Sequence, residues 1–453
     1  MGLSVIQENR RTSEAPPAAQ ADLPESLWRD RSFWGMTATQ FLGAFNDNLF
    51  KQVVLLLCID FAIHAGTRDY QPHAQELFAL PFVLFSGFAG YLSDRFSKRR
   101  IVIICKILEI AIVCLGTWSL SSGSLAAVFT VLFLLGTHSA FFGPSKFGIL
   151  PELVREPDLP AANGIFLMTT FTAIILGTVL AGILKAFVHD HIFGVGAAYA
   201  AVAGTGLATS LLIRRTPAAH PGLEFAASDL AVSGDTVRMF WRDKPLLIAL
   251  IMYSIFWLIG GLTLPAVNAF GKLQLFSDLE VKVADASTSL LAGFLIIGIA
   301  VGCAGAGWMS GKKINFRLVP WGSWGMVAGL GLLSLLGWLG TSRGESSAPI
   351  VSDVAVAAGA KVLLMVMGIA AGVFTVPLQV FLQSRPPADQ KGRVIGAMNL
   401  VNWVGILFSA RIYAGFDLLR ELADAPHSAI FGATALLLLP VALFYRPRET
   451  PRP

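Results

Sequence analysis

The chain has 453 residues and a formal net charge of +5, with 55% apolar and only 14% charged residues. Soluble domains carry about 25% charged residues, so a mean hydropathy of +0.66 excludes an ordinary soluble enzyme and points to a membrane protein. Cys58, Cys105, Cys114 and Cys303 stand in apolar runs without paired spacing, and the basic residues collect at the ends of apolar segments, which argues against a disulfide framework, a metal site or a nucleic-acid surface.

Residues 1–31 are polar, rich in Ala, Pro and Glu, and lack the apolar core and cleavage site of a signal peptide. They are expected to form a disordered cytoplasmic tail that ends in an interfacial stretch around Leu27, Trp28 and Trp34. Twelve apolar spans follow, near 33–63, 75–93, 100–120, 124–144, 159–187, 193–213, 245–269, 286–310, 317–340, 356–382, 393–415 and 427–445. An even number puts both termini on one side. That side and its connections hold 24 of the 34 Lys and Arg residues against 8 on the other, so the termini are expected in the cytoplasm. The polar linker 214–244 divides the chain into a bundle over 32–213 and a second over 245–445, followed by a short tail, 446–453.

Span 1 is long enough to cross a bilayer, yet carries Asn46, Asp47, Asn48 and Lys51 at its centre. At ~1.5 Å per residue Asp47 lies ~21 Å along the span, well inside a ~30 Å hydrocarbon core. An ionisable group at that depth usually faces a protein interior or wet cavity and marks a substrate path. Lys51 follows at i+4, so the acid and base share a face and are expected either to neutralise each other or to serve a substrate jointly.

In span 3, Lys106 and Glu109 stand at i and i+3, with pairing and substrate contact both open to them. Lys146, beside Pro144 near the end of span 4, is placed to meet an anionic headgroup or simply to hold the cytoplasmic side; His138 reads as a packing histidine or a proton relay. Gln379 and Gln383 on span 10, with Asn399 and Asn402 on span 11, are candidates for cavity walls or interhelical bonds. His64 and Asp69 have the spacing of a glycerolipid acyltransferase motif, but in a short loop, and are read as chance.

The passage after span 2 has a glycine, an acid four residues on and a basic cluster: Gly90, Asp94, Arg95, Lys98, Arg99 and Arg100. Gly90 would permit close helix approach, Asp94 could accept from the N-terminus of span 11 near Arg393, and the bases would hold the cytoplasmic side. A degenerate copy, Gly307 to Lys313, follows span 8 with Gly311 in the acid's place, the pattern of a transporter built from repeats around a central site.

The Gly90 to Arg100 passage resembles the signature of the major facilitator superfamily. Within it, four passages are similar to the bacterial lysophospholipid transporter family, including the membrane portion of the bifunctional acyltransferase/acyl-carrier-protein synthetase: Phe41 to Lys51, Gly143 to Glu152, Ala162-Asn163-Gly164, and Val376 to Gln379 leading into Arg393 to Asn399. The run Ser254 to Gly261 is similar to the fused form, but no soluble enzyme domain is expected after span 12. Span 7 has no basic residue, so no counter-charge to Asp47 is expected from it.

The resemblance implies an all-α membrane protein of twelve transmembrane helices in two pseudo-symmetric six-helix bundles. It implies a monomeric inner-membrane flippase, without cofactor or metal, that moves lysophospholipids to the cytoplasmic leaflet for reacylation by a cytoplasmic acyltransferase. Substrate contact is assigned to Asn46, Asp47, Asn48, Lys51, Lys106, Glu109, Lys146, Gln379, Asn399 and Asn402, and gating to Gly90, Asp94, Arg95, Arg99, Glu152 and Arg393. Two alternatives are proton-coupled efflux of drugs or amphiphilic metabolites, and a non-transporting scaffold or receptor. Span 4 lacks a membrane arginine and span 5 the Gly-Pro pair that resemble the efflux class, leaving only Gly177 and Gly182 there; the central acid and base speak against a scaffold.

Overall fold

Asp30 starts the first membrane helix: its carboxylate accepts from the backbone N–H groups of Ser32 at 2.8 Å and Phe33 at 3.3 Å, satisfying donors that a helix start leaves open. The computed structural model describes residues 26–155, 158–218, 221–222, 234–310, 314–340, 351–386 and 391–447. Helix α1 (Arg31–Ala65) ends at Gly66, whose φ of 61° is the left-handed turn that glycine adopts without a Cβ penalty. There follow α2 (Gln71–Arg95), α3 (Lys98–Ser121), α4 (Leu125–Gly148) and the single turn α5 (Leu150–Leu153). A helical run, α6 (Leu159–Leu211), contains the apolar segments Met168–Lys185 and Ile192–Leu211, the fifth and sixth spans.

The second half begins with the surface helix α7 (Gly234–Arg242) and α8 (Lys244–Ala269), which continues as a π-helical turn, Phe270–Leu275. Helices α9 (Val281–Ser310), α10 (Leu318–Leu339), α11 (Asp353–Ser384), α12 (Lys391–Leu422) and α13 (Ala429–Phe444) complete it. Among the described residues, 11 segments are long and apolar enough to cross a membrane, and α13 is a shorter apolar helix of 16 residues. The span boundaries expected from hydropathy hold to within several residues, except that spans 5 and 6 lie in the one helical run α6, with the apolar part of span 5 starting at Met168, and that α12 runs on to Leu422.

Each half has its own apolar packing. One cluster of buried side chains runs from Phe240 to Val441, and two others draw only on residues between Leu27 and Ile213. The halves meet where α6 packs on α9 and α2 on α12. Among the described residues, the polar contacts between halves gather at the end bearing the α1–α2 loop. Buried amides link Gln52 to Asn268 at 2.8 Å and Asn268 to Gln71 at 2.9 Å. Gln75 donates to Ser409 at 2.6 Å, Tyr413 donates to Asp69 at 3.2 Å, and Phe82 stacks on Trp403 with ring centroids 3.7 Å apart. The molecule is sealed at this loop end.

At the opposite end the contacts described stay within one half. Arg99 donates to the carbonyl of Ile213, just past the end of α6, at 2.6 Å, and Lys98 pairs with Glu152 at 2.5 Å. Arg95 bonds the Tyr91 hydroxyl, Arg385 pairs with Asp243 at 2.6 Å, and Arg214 pairs with Asp30. Gly90 does not mediate a close helix approach: a Cβ there would meet nothing within 4 Å. Asp94 is exposed and makes no hydrogen bond or ion pair with a described residue. The Arg393 side chain, Gly311 to Lys313, and residues 1–25 and 448–453 lie outside the described residues, as do the side chains of Asn163, Gly164 and Gln383.

Candidate functional site

Asp47 is half-buried in the middle of α1, and its Oδ2 accepts from the Ser139 hydroxyl of α4 at 2.5 Å, while Oδ1 is buried with no hydrogen-bond partner among the described residues. The expected ion pair with Lys51 is not formed, since no Lys51 nitrogen lies within salt-bridge distance of a described carboxylate. The Lys51 ammonium sits over the Phe78 ring of α2, 5.3 Å from its centroid. The physical reason is competition: a hydroxyl reaches the short aspartate from α4, and the negative face of an aromatic ring attracts the ammonium on its long stem. Asn48 turns back to donate to its own helix at Ala44 O, 2.8 Å away.

Behind this face lies a second group. Lys106 and Glu109 form the i,i+3 ion pair at 2.5 Å, and both side chains are fully buried. Glu109 also accepts from Asn46 at 3.2 Å, and His138 Nε2 stands 3.9 Å from its Oε2. The Lys106 ammonium fits against Gly43, where any Cβ would collide with it, and lies 5.1 Å from the centroid of Phe142. These contacts satisfy a charge pair that would be costly alone in a dry interior. Lys106 and Glu109 therefore face α1 and α4 rather than open space, and Asn46 is the link between them and the Asp47 segment.

Lys146, also buried, donates to Thr170 at 3.3 Å, and Thr170 donates to Gln40 at 2.8 Å, so the end of α4 is tied to α6 and α1. In the other half, Asn399 is exposed and Gln379 half-buried, and neither bonds a described residue. Asn402 is buried with its Oδ1 unpartnered, next to the Trp403 that stacks across the halves. The structure thus gathers Asn46, Asp47, Lys106 and Glu109 on the first half, and keeps Gln379, Asn399 and Asn402 apart on the second.

A cluster absent from the sequence reading closes the loop end of the interface. Lys185 of α6 pairs with Asp60 of α1 at 2.5 Å and with Asp285 of α9; Lys272 of the π-helical turn pairs with Asp285 at 2.7 Å and with Asp60. Each acid meets both bases, so the four charges cancel where single ones would be costly to bury. Gly182 makes this possible: a Cβ there would overlap the Asp285 carbonyl, so only glycine lets α6 approach α9 closely enough for Lys185, one turn on, to reach across. Lys185 and Lys272 were legible only as two of the few bases on the less basic side.

His64 and Asp69 do not form a motif. His64 is exposed with Nδ1 2.7 Å from Asp60 O, whereas Asp69 accepts from Gln71 and Tyr413.

Two packed halves of apolar helices, a half-buried acid midway along the first helix and a charge cluster sealing one end define a helical membrane transporter. The family model described as Major Facilitator Superfamily matches residues 67–410, and the chain belongs to that superfamily. It is 29% identical over 394 residues to the lysophospholipid transporter LplT of Enterobacter sp. (strain 638), covering 86% of this chain and 89% of that protein. The LplT of Shigella boydii serotype 4 (strain Sb227) is 29% identical over 440 residues, 94% of this chain and 100% of the relative. Among solved structures, an auto-inhibited POT family peptide transporter matches with a TM-score of 0.67 at 13% identity, covering 93% of this chain and 99% of that one. The nucleoside transporter NupG matches at 0.65 and 14%, covering 90% and 98%; both likenesses concern the fold.

Proposed function

We propose that the protein is a secondary transporter that flips lysophospholipids across the inner membrane to the cytoplasmic leaflet, where a cytoplasmic acyltransferase would consume them. The observation that carries this reading is the state of Asp47, held by a neutral hydroxyl rather than by Lys51, with one carboxylate oxygen unpartnered. Such an acid is free to take the ammonium of a zwitterionic headgroup, while Lys51 and Lys146 offer positive charge for the phosphate. The likeness to the named lysophospholipid transporters supports this substrate class over others that an amphiphilic path would admit.

In this reading the termini and the 214–244 linker are cytoplasmic, the units are the bundles 32–213 and 245–445, and the sealed loop end faces outward. The described conformer is then inward-facing, and Asp94, exposed here, would engage the start of α12 when the molecule opens outward.

The test is lysophosphatidylethanolamine uptake by spheroplasts expressing Asp47→Asn, Lys51→Gln and the double variant at matched levels. Loss of one charge-assisted hydrogen bond, roughly 1.5–3 kcal/mol, lowers uptake about ten- to a hundredfold in Asp47→Asn, and the double variant stays equally impaired. Recovery in the double variant would mean that the two residues only neutralise each other.

A further inference from the structure

The sealed end is not closed flush. A cavity open to the outside remains beyond the four-charge cluster, walled by both halves. One side is apolar: Ile59 and Ile63 from the last turns of α1, and Leu273 from the π-helical turn. The other side carries Arg68 and Asp69 from the α1–α2 loop, and Asp417, Arg420 and Glu421 from the last turns of α12.

The charges on that wall are unequally matched. Arg420 is paired with Asp417 at 2.8 Å within one turn of α12. Arg68 meets Glu421 at 3.0 Å, but both side chains are more than half exposed, and such a pair is weak and readily exchanged. Asp69 meets no cation among the described residues. Its carboxylate accepts only from the Gln71 backbone and amide, at 2.8 and 2.7 Å, and from the Tyr413 hydroxyl at 3.2 Å. A half-buried acid held by neutral donors, a guanidinium with a loosely held partner and an apolar wall stand together on one cavity.

We infer that this cavity is a second ligand site, outside the seal and separate from Asp47, that takes a phosphate–ammonium headgroup: Asp69 receives the ammonium, Arg68 exchanges Glu421 for the phosphate, and Ile59, Ile63 and Leu273 cover the adjoining glycerol and first methylenes. Two guanidiniums against three carboxylates leave the wall one positive charge short, so a ligand carrying both charges suits it better than a purely anionic one. Because residues from both halves line it, the site is complete only while the loop end is closed. The inference rests on the proposed substrate class for its ligand, but not on Asp47 being the central site.

The experiment uses the full chain in nanodiscs with Cys114→Ser, which removes an exposed native thiol, and Ile63→Cys on the cavity wall. The rate of maleimide labelling at Ile63→Cys is followed with lysophosphatidylethanolamine, water-soluble glycerophosphoethanolamine, or lysophosphatidylglycerol. Both phospho-amines are expected to slow labelling at least threefold and the anionic lipid much less. Protection at lower concentration by the lipid identifies a lipid headgroup as the ligand; equal protection identifies the free phospho-amine. Protection must survive Asp47→Asn and be lost in Asp69→Asn. Should Asp69→Asn fold poorly, Arg68→Gln, altering an exposed side chain, is expected to weaken protection by both phospho-amines. Absence of protection with uptake intact, its loss in Asp47→Asn, or its persistence in both Asp69→Asn and Arg68→Gln overturns the site. Protection that persists without any uptake refutes the transport reading instead.

Discussion

The Lys106–Glu109 pair and the cluster of Asp60, Lys185, Lys272 and Asp285 are both ion pairs held away from water, but the first joins two turns of one helix and the second joins the two halves. An i,i+3 pair inside α3 travels with its helix whatever the halves do. The four-charge cluster must come apart whenever the loop end opens, and its acids and bases then regain water. Exposure fits that distinction: the Lys106 and Glu109 side chains are at 0%, whereas Asp60 keeps 20% of its side-chain surface. Like chemistry thus serves permanent packing in one place and a separable seal in another, and the difference lies in which elements the charges connect.

Glu109→Gln leaves the Lys106 ammonium buried without its acid, and a destabilisation of roughly 3–5 kcal/mol is expected, seen as lost expression or a lowered thermal midpoint in detergent. Replacing both, as Lys106→Met with Glu109→Leu, should restore much of it. A near-normal midpoint in the single variant would mean that water reaches this pair as well.

Lys185→Gln should behave differently. The stranded acids escape by opening the loop end, so folding changes little while the conformational balance moves outward by at least tenfold, about 1.4 kcal/mol. Spin labels at Ala62→Cys and Leu273→Cys, one on each half, would report a longer distance. An unchanged distance distribution would remove the cluster from the gate.

Asp69 makes closure of the loop end depend on pH. Burial pushes its carboxyl up to about 6 from an ordinary value of 3.8, with Asp417 of the other half adding to the rise against the hydrogen bonds it accepts. The closed form therefore holds the proton more tightly, so closure gains as pH falls from 7 towards 4 and loses that gain as pH rises through 6. His427, held down to about 4 by burial and by Arg420, belongs to the same half as that arginine and keeps that neighbour on opening. The readout is thus the difference between the wild type and Asp69→Asn in the same distance measurement at pH 5 and pH 7.5. The variant should lose acid-favoured closure.

The smallest effect is expected at Asp94, which bonds no described residue in this conformer. Asp94→Asn should leave stability unchanged and slow uptake modestly, since an acid at a helix N-terminus contributes roughly 0.3–1 kcal/mol. A rate equal to the wild type would dismiss the latch to α12.

What could be read along the chain was what depends on near neighbours. Hydropathy over about twenty residues located the spans, because a bilayer imposes that length on any helix crossing it. Helical spacing located the Lys106–Glu109 pair, because i and i+3 are adjacent on one helix whatever surrounds it. The depth of Asp47 followed from helix rise alone.

Partner choice was decided by tertiary structure. Asp47 and Lys51 have the right spacing to pair, yet Ser139 and Phe78, brought in by α4 and α2, take them separately. Gly90 reads as a packing glycine, but a Cβ there would meet nothing within 4 Å, and it is Phe88 and Ser93 on either side that touch α4. Asp60, Lys185, Lys272 and Asp285 look like ordinary charges near span ends, and only the packing of α6 against α9 at Gly182 makes them one neutral cluster. A buried charge is stabilised by whichever opposite charge or dipole arrives within a few ångströms, and across separate helices that is a property of the fold.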